Sequence, residues 1–147
     1  MKHSMKLACA AASLALCCAA ASADGLPYKA GPVVVVTSIK IKEGHFFDYW
    51  TFLRTQWREE NEAAKKAGIV LSYEVLSAQP KTPNEADLYL VITYPNYAAL
   101  DNLDEKMSAI DEKLWGSLKQ AAKEDADRNS IRTVLGSETL QVYGFKE

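Results

Sequence analysis

The pattern of apolar and polar positions divides the chain into a leader and one folded unit. Leu7 to Ala20 is an uncharged apolar run behind Lys2 and Lys6. Beyond the leader the pattern switches between a period of two and a period near 3.6, the signatures of half-buried strands and amphipathic helices. Val33 to Ile41 predicts a first strand, with Ile39 and Ile41 alternating against Ser38, Lys40 and Lys42. Its opening run, Val33 to Val36, is apolar on both faces, as in a strand covered on two sides. Gly44 opens a long helix to Ala67, where Phe46, Trp50, Leu53, Trp57 and Ala64 form one stripe. Arg58, Glu59 and Glu62 face away from it, and Gly68 stands where a helix-ending glycine belongs.

Ile69 to Ser77 predicts a second strand, Gln79 to Ala86 a loop carrying Pro80 and Pro83, and Leu88 to Tyr94 a third strand. Asn96 is placed to cap a second helix whose stripe is Leu100, Leu103, Met107, Ile110 and Leu114. Gly116-Ser117 breaks the chain, and Ser117 can cap a third helix bearing Leu118, Ala121 and Ala122. Ile131, Val134 and Leu135 extend its apolar face to a stop at Gly136, and Thr139 to Phe145 closes as the last strand. The predicted order is β-α-β-β-α-(α)-β. Two βαβ-like halves of this kind give an α+β, ferredoxin-like four-stranded antiparallel sheet with helices on one face. The other face then has no cover within one subunit.

The leader changes the picture of where this domain works. A positive start, an apolar core too short to span a bilayer and Ala21-Ser22-Ala23 together describe a secretory signal cleaved after Ala23. Leu16 and Cys17 precede the candidate cysteines where a lipoprotein signal needs a small residue. The expected organisation is a signal peptide (1–23), a lead-in segment (24–32) and one domain (33–147), with the periplasm or the medium as destination. Cys9, Cys17 and Cys18 all lie in the leader, so the mature domain has no thiol chemistry. Without Lys2 and Lys6, 15 basic residues face 19 acidic ones, a formal charge of −4. That balance argues against nucleic acid and against an anionic membrane surface as partners.

A first strand running into Lys42-Glu43-Gly44 and a long aromatic helix, then a hairpin, a second helical stretch and a closing strand, resembles the dimeric α+β barrel superfamily. The resemblance covers residues 33–145 and rests on topology and spacing. It implies a homodimer in which two sheets meet across a two-fold axis and close a barrel. Members include cofactor-free monooxygenases, haem enzymes, stress-response proteins and domains without a known role, so membership says little about activity. In haem-binding relatives the axial ligand is a histidine of the second helical stretch. His45, the sole histidine beyond the leader, precedes the first helix instead. No metal and no cofactor is expected.

Catalytic motifs are equally scarce. There is no Gly-x-Ser-x-Gly elbow and no glycine-rich phosphate loop. The 3 Trp, 7 Tyr and 4 Phe, however, all fall beyond residue 23, and the first helix is dense in them. Phe46, Tyr49, Trp50, Trp57, Glu60, Asn61 and Tyr73 are the candidate lining of a pocket for a small apolar or aromatic ligand. Glu60 and Asn61 supply polar groups at its far end, and a buried Glu60 would have a raised pKa and could act as a base. Arg132, between Ile131 and Val134, reads as a surface residue, with pairing to a carboxylate or a cap at the pocket mouth as the alternatives. Three functions fit: a small-molecule-binding or stress-related module, a cofactor-independent oxygenase acting on an aromatic substrate, and a structural partner-binding domain.

Overall fold

The computed structural model describes residues 26–146, so the leader and its cleavage site lie outside the described residues. The strands are β1 (Tyr28–Ile41), β2 (Ser72–Ser77), β3 (Leu88–Tyr94) and β4 (Arg132–Phe145). They form one antiparallel sheet in the order β2-β3-β1-β4. Between β1 and β2 a continuous helix comprises α1 (Phe46–Phe52), a π-helical stretch (Leu53–Trp57) and α2 (Arg58–Lys66). Between β3 and β4 come a 3-10 turn (Tyr97–Leu100), α3 (Leu103–Trp115) and α4 (Leu118–Ile131). The protein is therefore α+β.

Strand boundaries depart from the periodicity in three places. β1 starts at Tyr28 rather than Val33, so the second half of the expected lead-in belongs to the strand: Tyr28 lies opposite Phe145 and Ala30 opposite Tyr143. A bulge between Ala30 and Val33 accommodates Pro32, which has no N–H to give a ladder. Gln141 Nε2 donates to the Gly31 and Pro32 carbonyls at 2.6 and 3.0 Å, satisfying acceptors that the bulge releases. β2 is shorter than expected and starts at Ser72, although Leu71 N–H already bonds the Thr93 carbonyl at 2.7 Å. β4 starts at Arg132, so 132–138 is strand and not the end of a helix. There Val134 pairs with Ile39 and Gly136 with Ser38, leaving Leu135 as the extra residue of a second bulge.

Turn chemistry follows the sequence closely. Gly68 and Gly116 adopt φ of 73° and 80° past their helices, a region that costs a side chain most. Ser117 Oγ accepts from Gln120 N–H at 3.2 Å and starts α4. Asn96 caps as expected, accepting from Ala99 N–H at 3.1 Å, but what it caps is the single 3-10 turn. Asn102, at φ 52°, then redirects the chain into α3.

Helix-facing strand residues form two adjoining clusters. Ile39, Leu88 and Leu90 pack with Tyr49, Phe52, Leu53 and Trp57; Val33 and Tyr94 pack with Ala64, Val70 and Ile110. Leu100, Leu103, Met107 and Leu114 join the second cluster partly buried, as their spacing predicts. By the alternation of the pleat, Val34, Val36, Leu76, Val91, Leu140 and Val142 point to the opposite face. There Leu76 is 49% exposed, Leu140 47% and Val142 43%.

Candidate functional site

The first helix does not present the stripe that uniform 3.6-residue turns predict. Tyr49, Leu53, Trp57 and Asn61 are its buried line, each four residues after the last. In an ideal α-helix each four-residue step overshoots a full turn by about 40°, so three steps would swing the line about 120° around the axis. The π-helical stretch takes up part of that drift. Arg58 N–H bonds the Leu53 carbonyl five residues back, and Thr55 Oγ1 donates to the Thr51 carbonyl at 2.7 Å. One consequence is that Phe46 is 54% exposed while Tyr49 is fully buried, which corrects the expectation that Phe46 belongs to the core stripe. Another is that Arg58, expected to face away, comes to the side of the helix next to β2.

Between that side of the helix and the edge strand β2 lies a groove of about 570 Å³. Phe47, Trp50, Leu53, Trp57, Tyr73 and Val75 make its apolar wall, with Thr51, Arg54 and Arg58 as its polar contribution. The Trp57 and Tyr73 rings meet edge to face at 5.2 Å, fixing the junction of helix and strand. Tyr73 donates to Glu62 Oε1 at 2.6 Å. Its phenol pKa is raised, first by desolvation and then by the Glu62 hydrogen bond and charge, so the hydroxyl is a neutral donor at physiological pH. Trp50 Nε1 is buried with no hydrogen-bond partner among the described residues. Trp50 also borders a second hollow, of about 380 Å³, beside Phe46 and Asp87.

Of the residues singled out from sequence, Trp50, Trp57 and Tyr73 come together in the groove. Phe46 borders the neighbouring hollow and meets Trp50 at a tilt, with ring centres 6.2 Å apart. Tyr49 lies beneath the helix, where its hydroxyl accepts from Arg132 Nη1 at 3.1 Å. Burial raises the Tyr49 pKa against the lowering influence of Arg132 and Arg128. Asn61 is buried but turned inward, donating to the Trp57 carbonyl at 2.8 Å. Glu60 faces α4, 3.9 Å from Arg128. The groove thus does not hold the carboxylate that a base at Glu60 requires. His45 Nδ1 sits 2.9 Å from Asp48 Oδ2 at the helix start.

Arg132 is not a surface residue. Its guanidinium lies under the first helix, 5.7 Å from the Tyr49 ring centre and 6.0 Å from that of Phe52. Residues that sequence reasoning missed are Phe47, Thr51, Arg54, Arg58 and Val75. One signal for the arginines was available, since Arg54 and Arg58 stand four apart and flank Trp57.

Compared with known proteins, the chain matches no family model, no curated protein and no solved structure. Among the described residues, no helix is long and apolar enough to cross a membrane.

Proposed function

We propose that this is an exported, homodimeric small-molecule-binding protein of ferredoxin-like fold, with the groove between the first helix and β2 as its ligand site. The observation that carries the reading is the groove itself. Its volume of about 570 Å³ falls within the roughly 300–1,000 Å³ common for ligand sites. Its wall is aromatic, which suits a flat apolar ligand. Its ionisable lining groups are two guanidiniums and a phenol of raised pKa, a set suited to holding a ligand rather than to taking a proton from it. Binding is therefore preferred to oxygenase catalysis.

The test is a fluorescence titration with the neutral probe N-phenyl-1-naphthylamine. Binding is expected, and Thr51→Trp, which fills the groove from an exposed helix position, should abolish it. Undiminished binding in that variant would put the ligand elsewhere and end the reading.

Assembly and export have their own support. The open face of the sheet carries Val34, Val36, Leu76, Val91, Leu140 and Val142 among polar residues such as Ser38, Glu74 and Glu138, and a second copy of the same sheet would cover its exposed apolar members. The Ala21-Ser22-Ala23 site supports release at Asp24. Intact mass should show a chain starting at Asp24, and light scattering about twice that mass. A stable monomer, or a chain retaining Cys18, would remove the corresponding part of the proposal.

A further inference from the structure

The lining of the groove also specifies the charge of what it holds, an inference that rests on the groove being a binding site. Two guanidiniums, Arg54 and Arg58, line it and no carboxylate does. This is a local excess of positive charge in a chain whose formal net charge is −2. Both side chains are exposed, and neither has a hydrogen bond or an ion pair within 4.0 Å among the described residues. The contrast with the half-buried arginines is clear: Arg128 faces Glu60, and Arg132 holds the Tyr49 hydroxyl. An i,i+4 spacing sets Arg54 and Arg58 one above the other on the helix surface. A planar guanidinium fork is matched to a carboxylate or a similar oxyanion.

We propose that the groove takes an aromatic anion: a flat apolar body held against Trp50, Trp57 and Tyr73, with one acid group held by Arg54 and Arg58. Glu62 opposes this arrangement. It is held by the Tyr73 hydroxyl and lies with Arg58 in an adjoining hollow, so it competes with the ligand's acid group at that end.

Two probes that share one aromatic body separate charge from shape: 8-anilinonaphthalene-1-sulfonate and neutral N-phenyl-1-naphthylamine. At low salt the anion should bind roughly tenfold tighter, the scale of one charge-assisted hydrogen-bond contact. Arg54→Gln with Arg58→Gln should erase that difference, the readout being the ratio of the two probes' affinities in the same variant. Both positions are exposed, and an unaltered far-UV circular dichroism spectrum confirms that the double variant folds. Glu62→Gln should widen the gap, and high salt should narrow it. If the neutral probe binds and the anion binds no tighter, or the double variant leaves the anion's affinity intact, the charge assignment is overturned and the groove reading stands. If neither probe binds, or both ignore Thr51→Trp, the groove reading itself fails.

Discussion

The two helical layers cover the same side of the sheet by different means. The first helix buries Tyr49, Phe52, Leu53, Trp57 and Ala64, together with Asn61. Among the described side chains of α3 and α4, Ile110 alone is buried to that degree. Yet the groove lies along the more deeply packed helix. The first helix can serve both ends because its two flanks differ. Its core line holds the sheet, and the flank turned toward the short edge strand β2 leaves room for a ligand beside Trp50, Arg54 and Arg58. A site built on a rigid element keeps its geometry better than one built on a loop.

The largest effect should come from the core line. Trp57 is 8% exposed and packed among Tyr49, Phe52 and Leu53, so Trp57→Ala should cost about 3–5 kcal/mol in a denaturant titration. Trp50 is only partly buried and borders two hollows, so Trp50→Ala should cost clearly less while weakening ligand binding more. Equal losses of stability would mean that both flanks of the helix are core.

Next in size is the single deep anchor of the second layer. Ile110→Ala removes a side chain 8% exposed among partly buried neighbours that can move inward, so the low end of the usual range, about 2–3 kcal/mol, is expected. A loss exceeding that of Trp57→Ala would reverse the ranking of the two layers.

The same contrast explains what could be read from the sequence. The stripe of α3 from Leu103 to Leu114 was legible because its 4-3-4 spacing suits an ordinary α-helix, whereas Leu100, read as part of the same helix, lies on the 3-10 turn before it. The first helix was legible as a helix, but its buried face was not: a π turn leaves no mark in apolar spacing, and it exchanged Phe46 for Tyr49. β3 was legible residue by residue, because alternation and flanking turns agree at both ends. The first part of β4 was hidden, since Ile131, Val134 and Leu135 suit a helix and only the bulge at Leu135 reconciles Val134 and Leu135 with a strand. Three aromatic members of the candidate pocket were recoverable from type and spacing. Arg54 and Arg58 were marked only by their four-residue spacing around Trp57, because a charged residue beside an apolar stripe reads as solvated until the neighbouring strand is in place. Arg132 was misplaced with the helix end to which it seemed to belong.

The smallest effect isolates a polar group within the looser layer. Asp111 neighbours Ile110 on α3, and its Oδ1 is buried with no hydrogen-bond partner among the described residues. Burial raises its pKa above the ordinary 3.8, and the charge of Arg128 offsets this only in part. The native state therefore keeps a proton in a pH window just above 3.8 where the unfolded chain has lost it. Stability from this group is full below that window and falls as pH rises through it, leaving the ionised Asp111 as a constant cost at neutral pH. Asp111→Asn cannot titrate. It should stabilise the protein at pH 7 by less than either core substitution costs, because the rest of the side chain is partly solvated. The advantage should vanish as pH falls below 3.8, which paired melting curves at pH 3 and pH 7 would show. Destabilisation at pH 7 would mean that attraction to Arg128 outweighs burial, and that α3 and α4 are joined more firmly than their sparse core implies.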